Sequence, residues 1–224
     1  VARAAENKGT VVCAAGGLPG ELHKLWRASN TNAYHLEYGY SCMGYEIAGG
    51  LGVKMALPDR EVFVMVGDGS YLMMNSEIAT SVALGHKLIV TVLDNGGFGC
   101  TQRLQIGTGG APFNNLFEDI PDTAPVSVDF VAHAISLGAI SERVTDIAQL
   151  EKALVRARRN DRTTVLVIET DPIAATEAGG AWWDVPVAEV SDRPEVKDAR
   201  TAYERNSTRQ RVDRLGLEGL CHWR

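Results

Sequence analysis

Two short polar loops carry the residues best suited to chemistry in this sequence. Val66-Gly67-Asp68-Gly69-Ser70 follows the apolar run EVFVMV, and Leu93-Asp94-Asn95-Gly96-Gly97 ends the apolar run LIVTVL. Each brings glycine-freed backbone groups together with an acidic or amide side chain. That donor set suits a hard cation such as Mg²⁺, which takes one or two carboxylate-type ligands and completes its octahedron with phosphate oxygens and water. The glycines allow phosphates to approach backbone amides, and a following helix N-terminus favours an anion. A Gly-Asp-Gly turn alone is a common composition. The spacing gives it weight. Asp68 precedes Asn95 by 27 residues, the length of one strand-helix-strand unit, so both loops fall at the same edge of a sheet.

The elements that would position these loops can be read from the pattern. Strands are expected at Thr10–Ala14, Glu61–Val66, Leu88–Leu93, Ala139–Val144 and Thr163–Glu169. Helices are expected at Glu21–Ala28, Tyr45–Leu57, Ser76–Leu84 with Asn75 as N-cap, Asp129–Leu137, and Asp146–Arg159 capped by Asp146. Strands that are apolar throughout, each followed by a helix, imply an α/β fold: a doubly wound, mostly parallel sheet with helices on both faces. In such folds ligands bind beyond the carboxyl ends of the strands. The stretch from Gly107 to Ala124, rich in Gly, Pro and Asn, is too long for a simple connector and suits a lid or binding loop.

The segment from Gly67 to Asn95 resembles the cofactor motif of thiamine-diphosphate-dependent enzymes: GDG, some two dozen residues, then a pair of asparagines. Here the pair is Asp94-Asn95, so only its first member departs from the pattern. The resemblance implies that Asp68 and Asn95 bind Mg²⁺ through side chains and Gly97 through its carbonyl. It also implies that Gly67, Gly69 and Ser70 line the diphosphate. Tyr40-Ser41-Cys42-Met43-Gly44 matches the segment that holds the cofactor's pyrimidine in the family. Met43 would prop the cofactor into its bent shape, and the Ser41 carbonyl would accept from its amino group. Gly17 and Leu18, in the loop after the first strand, fall where family members also touch the cofactor.

The runs HLEYGYSCMGYEIAGGLGVKMA, GDGSYLMMNSEIATSVALG, TGGAPFNN and TEAGGAWWDV are similar to the family members that open a cyclic 1,2-diketone during inositol breakdown. The implied activity is hydrolysis of a carbon–carbon bond. The family's activating glutamate lies in a separate pyrimidine-binding domain, which none of these residues resembles. The chain is therefore expected to lack that catalytic group, to need the domain from the same or a neighbouring chain, and to be inactive and oligomer-forming. Three other readings remain: a decarboxylase or carboligase of the acetolactate-synthase type, a dinucleotide-binding module, and a catalytically silent cofactor-binding fragment. Gly16-Gly17-Leu18-Pro19-Gly20 fits the dinucleotide fingerprint poorly.

Composition narrows the field. The 224 residues are 45% hydrophobic, with a net charge of −6, which suits a packed domain and disfavours nucleic acid or an anionic membrane as partner. Four scattered cysteines, with no CxxC pair and no secretory leader in the first ten residues, suggest the cytoplasm. The first residue is Val1, and the sequence reads as part of a longer chain. Residues 1–190 are expected to form the cofactor-binding domain. From 191 to 224, eight Lys/Arg and six Asp/Glu mark a charged peripheral helix or tail. His23 and His35, near the expected site, and the Trp182-Trp183 pair are candidates for substrate contact; His86 reads as a solvated turn residue, and His133 on its helix and His222 in the tail as ordinary residues.

Overall fold

The computed structural model describes residues 1–6, 8–120, 127–176 and 185–209. Six strands, β1 (Gly9–Cys13), β2 (Tyr34–Leu36), β3 (Glu61–Gly67), β4 (Ile89–Asp94), β5 (Ile140–Val144) and β6 (Thr164–Glu169), form one sheet. Their order is β2-β1-β3-β4-β6-β5 and every pairing is parallel. Such a sheet is buried on both faces, which is why β1 and β4 read as continuous apolar runs rather than alternating ones.

The two sides of the sheet bury alternate residues of the same strands, as the pleat requires. Val12, Val62, Val64, Val66, Val90, Val92, Val165 and Val167 pack with Ile47 and Leu51 of α3 (Tyr45–Ala56), Ile78 of α5 (Ser76–Leu84), and Phe130 and Ala134 of α7 (Phe130–Ser136). On the opposite face, Phe63, Ile89, Val144 and Leu166 pack with Ala5 of α1 (Ala2–Ala5) and with Ala153, Leu154 and Ala157 of α8 (Ile147–Arg159). Val11 and Cys13 meet Leu22 of α2 (Leu18–Leu25). Burial lifts the Cys13 thiol to about 11.

The helix ends follow local chemistry. Asp146 caps α8 as expected, accepting from the Gln149 amide at 2.8 Å. Asp129, placed inside a helix by the sequence pattern, instead caps α7 by accepting from Val131 and Ala132. Asn75 precedes α5, but its side chain donates back to the Leu72 carbonyl and makes no cap. Helix α2 begins at Leu18, three residues before the expected start, with Pro19 in its first turn. There its missing N–H has no partner to lose.

The chain divides into two compact units. The first contains residues 1–102 and 113–176 and holds the whole sheet; the second contains 103–112 and 177–224. Helix α6 (Gly99–Gly107) starts in the first and ends in the second. Within the second, α9 (Pro194–Ser207) forms in the charged region read as a peripheral helix or tail. Arg193 of that unit donates to the Gly109 carbonyl, and Arg200 donates to the Val187 carbonyl and to Glu204. Trp182, Trp183, Cys221 and His222 lie outside the described residues.

Candidate functional site

The strand order reverses between β1 and β3: from β1 the chain moves outward to β2, then returns to the other side as β3. Loops leaving the carboxyl ends of β1 and β3 diverge there and leave a crevice where open α/β sheets bind ligands. The first loop carries Gly17 and Leu18, and the second carries Gly67 to Ser70. The β4 loop, with Asn95 and Gly97, sits beside the second because β4 is the next strand.

Asp68 is the first residue of α4 (Asp68–Met73), directly after the last residue of β3, and is 2% exposed. Its Oδ2 accepts from the Gly97 amide at 2.7 Å. Burial raises the Asp68 carboxyl above the ordinary range; the amides of Gly97, Gly69 and Asp68 itself oppose that rise, and the Asp94 carboxylate reinforces it. The end of the Asn95 side chain lies 2.8 Å from the Gly97 carbonyl oxygen and 3.2 Å from Asp68 Oδ1. With its nitrogen turned inward, Asn95 donates to both. With its oxygen turned inward, three oxygens face one another with no proton between them, an arrangement that a dication resolves. The cluster thus fits Mg²⁺: one carboxylate, one amide oxygen and one carbonyl. No group of three or more His, Cys, Asp or Glu suited to a metal occurs among the described residues. This site depends instead on an amide and a backbone oxygen.

Gly97 can serve only as glycine. Its φ is +143°, and a Cβ there would lie 2.4 Å from the Asn115 carbonyl oxygen. Residues 115–117 strap the loop from outside: the Phe98 amide donates to Asn115 O at 2.7 Å and the Phe117 amide to Gly96 O at 2.9 Å. Part of the long Gly107–Ala124 stretch therefore supports the candidate metal loop, while 121–124 lie outside the described residues. A Cβ at Gly69 would meet the Phe98 ring at 2.6 Å, so that ring would have to shift to admit one.

The segment expected to hold the pyrimidine is far more open. Ser41, Cys42 and Met43 are exposed, Met43 at 39%, and Tyr40 is 91% exposed. Ser41 has a φ of +51°, in the left-handed region. One side chain shapes this turn: Glu37 accepts from the Tyr40 amide at 3.2 Å and the Cys42 amide at 2.7 Å. Those amides hold the Glu37 carboxyl below its ordinary value. Behind Met43, Gly44 is buried at φ +88° with the Met73 and Met74 side chains against it.

The sequence reading missed Glu46. It is wholly buried on α3; its Oε1 accepts from the Ala15 amide at 3.2 Å, and its Oε2 accepts from the Ser70 hydroxyl at 2.7 Å. Ser70 Oγ in turn accepts from the Gly44 amide at 2.7 Å. The Ser70 hydroxyl is thus committed inside the protein. The helical period carried the signal, because Glu46 shares the buried stripe of Ile47, Gly50 and Leu51.

Among the histidines, His35 stacks on Tyr45 and its Nε2 lies 2.7 Å from that hydroxyl, while exposed His23 sits near the rings of Tyr34 and Tyr38. Tyr71, pushed up to about 12 by burial, bonds to His133 Nδ1 at 3.0 Å. His86 is half-buried.

Residues 14–168 match the family described as "Thiamine pyrophosphate enzyme, C-terminal TPP binding domain". The chain is 42% identical over 193 residues to the 3D-(3,5/4)-trihydroxycyclohexane-1,2-dione hydrolase of Shouchella clausii, covering 86% of this chain and 30% of that protein. It is 42% identical over 195 residues to the protein of the same name in Bacillus subtilis, covering 87% and 30%. The chain thus spans about 30% of the length of these relatives. In fold it is similar to a thiamine diphosphate-dependent 4-hydroxybenzoylformate decarboxylase of Rhodococcus jostii RHA1, with a TM-score of 0.66, 20% identity, and coverage of 76% and 31%. A parallel sheet with its glycine-lined oxygen cluster at the reversal of strand order, and a family match over most of that sheet, lead to one assignment: the chain belongs to the thiamine pyrophosphate enzymes and carries their C-terminal, TPP-binding domain.

Proposed function

We propose that this chain is the cofactor-binding part of a thiamine-diphosphate- and Mg²⁺-dependent hydrolase that opens the ring of trihydroxycyclohexane-1,2-dione. The observation that carries the reading is the similarity to hydrolases of that name along most of the chain. When bound, thiamine diphosphate supplies a nucleophilic carbon and an electron sink for breaking a bond beside a carbonyl. The protein supplies binding, conformation and orientation.

Asp68, Asn95 and Gly97 would hold the metal through one side-chain carboxylate, one side-chain amide and one carbonyl oxygen. Gly67, Gly69 and Ser70, with Gly17 and Leu18 across the crevice, would face the diphosphate. Ser41 would accept a hydrogen bond through its carbonyl, and Met43 would support the bent cofactor from below. A pyrimidine-binding domain, from the same or a neighbouring chain, would bring the activating carboxylate and cover the exposed Tyr40–Met43 turn. The protein would work as a homo-oligomer in the cytoplasm on a small cyclic diketone.

The test is an assay of the intact protein on trihydroxycyclohexane-1,2-dione and, in parallel, on pyruvate, with thiamine diphosphate and Mg²⁺. Ring opening that a chelator abolishes and Mg²⁺ restores is the expected result. Turnover of pyruvate with none of the dione would transfer the protein to the decarboxylase and carboligase branch.

A further inference from the structure

Glu46 is a carboxyl group with no exposure, and the metal and diphosphate assignments leave it unused. Three loops meet around it. Ala15 lies just past the end of β1, Gly44 closes the Ser41–Met43 turn, and Ser70 follows the Gly-Asp-Gly segment after β3. The β1–β3 ladder pairs Gly9 through Val12 with Glu61 through Val64 and goes no farther. Beyond it the two backbones part, and the bonds that tie them here run from Ala15 N–H to Glu46, on to the Ser70 hydroxyl, and from Gly44 N–H to the Ser70 oxygen.

We propose that Glu46 is a positioning residue for the cofactor: its carboxyl group fixes the loop after β1, the Met43 turn and the diphosphate loop in one mutual placement across the crevice. The inference rests on the thiamine-diphosphate reading and adds a residue to it. Stability gives little reason for a carboxyl group at this point. No ion pair reaches Glu46 among the described residues, and a buried hydrogen-bonded polar group seldom adds much net stability over a well-packed apolar one of similar size. Helix α3 is already anchored by Ile47 and Leu51 in the main core. What Glu46 adds is two acceptors aimed in different directions, which an apolar side chain does not offer. One consequence concerns Ser70. Because its proton goes to Glu46 and its oxygen accepts from Gly44, its remaining contribution to a diphosphate is its backbone amide.

The test uses the intact protein that carries this chain, titrated calorimetrically with thiamine diphosphate in excess Mg²⁺. Glu46→Gln keeps the shape but must turn an –NH₂ toward either the Ala15 amide or Ser70, so one link is lost or reversed. The expected result is a loss of cofactor affinity of about tenfold or more, with faster amide exchange at residues 14–17 and 43–45 of the cofactor-free protein. Ser70→Ala should produce a similar loss, and the double variant should be no worse than the poorer single, because both cut the same chain of bonds. Ser81→Ala is the structural control, since Ser81 Oγ bonds to Thr163 Oγ1 at 2.7 Å, remote in the fold from the three loops. It should lower the melting temperature and leave affinity unchanged.

Unchanged affinity in Glu46→Gln overturns the proposal, as does an equal loss in Ser81→Ala, which would mean that affinity follows overall stability. Should Glu46→Gln not fold, Ser70→Ala decides on the same criterion. Wild-type protein that fails to bind thiamine diphosphate sinks the functional reading itself, and this inference with it. A wild type that binds beside an unaffected Glu46→Gln sinks the inference alone.

Discussion

The Asp68–Asn95–Gly97 cluster and the Tyr40–Met43 turn serve the two ends of one proposed ligand, yet they are built in opposite ways. The cluster is recessed, its atoms fixed within about hydrogen-bond distance by β3, β4 and the 115–117 strap. The turn is exposed and takes its shape mainly from the Glu37 carboxylate. The protein groups proposed for the first all come from this chain. The second presents Tyr40 and Met43 to solvent, and Leu72 and Met73 of α4 are exposed as well, apolar surface that a partner domain would cover. The difference teaches that metal binding and catalysis should separate under mutation: damage to the recessed end should remove the cofactor, whereas damage to the open end should misplace it.

The largest effect belongs to Asp68. Asp68→Ala removes the one carboxylate of the cluster, and Mg²⁺-dependent cofactor binding should fall by more than the roughly 10–100-fold that loss of an outer-shell partner costs. Asn95→Ala should weaken binding less, because a neutral oxygen holds a dication less firmly. Calorimetry on the intact protein checks both. Equal affinity in Asp68→Ala and wild type would break the comparison at its stronger end.

Met43 sharpens the other side. Met43→Ala should lower turnover by about 10–100-fold, the order expected when a bound group shifts by an ångström, while Mg²⁺-dependent binding stays near that of wild type. Met43→Leu should retain most activity, since volume and apolar character are kept. Full turnover in the alanine variant would make Met43 ordinary packing.

The same contrast explains what could be read from sequence. Residues in the recessed end announce themselves: β3 and β4 are apolar runs stopped by polar glycine loops, and the 27-residue interval between Asp68 and Asn95 puts both at one edge. Short elements were not legible. The three residues of β2, half-buried at the sheet edge, show no period, and the six of α4 look like a turn because they open with Asp-Gly-Ser. Asn75 has the right type and place for a cap, but the Leu72 carbonyl takes its side chain. Glu46 was hidden for a different reason. An acidic residue in the first turn of a helix is ordinarily explained by the helix dipole, and only its place on the buried stripe distinguishes it.

Thiol reactivity gives the smallest test, setting the open turn against the buried strand on the other side of the crevice, because each contains a cysteine. Cys42 is exposed in the open turn, and Cys13 is buried in β1 beneath α2. The thiolate is the reactive form, so a raised thiol reacts more slowly at a given pH and gains rate as pH rises toward its own value. Burial holds Cys13 at about 11. Partial desolvation and then the neighbouring Glu37 carboxylate also raise Cys42, though it stays accessible. At pH 8, iodoacetamide should modify Cys42 at least about tenfold faster than Cys13, and both rates should still be climbing above pH 9. Removing the negative charge in Glu37→Gln should lower the Cys42 thiol and speed its labelling at pH 8. In the intact protein the covering domain should already slow labelling of Cys42, and cofactor binding should slow it further because Cys42 adjoins Ser41 and Met43, while Cys13 stays as slow as before. Peptide mapping by mass spectrometry reads each site separately. Cys13 reacting as fast as Cys42 in the folded protein would mean that β1 opens readily, and the Gly17–Leu18 side of the crevice would not be held in place.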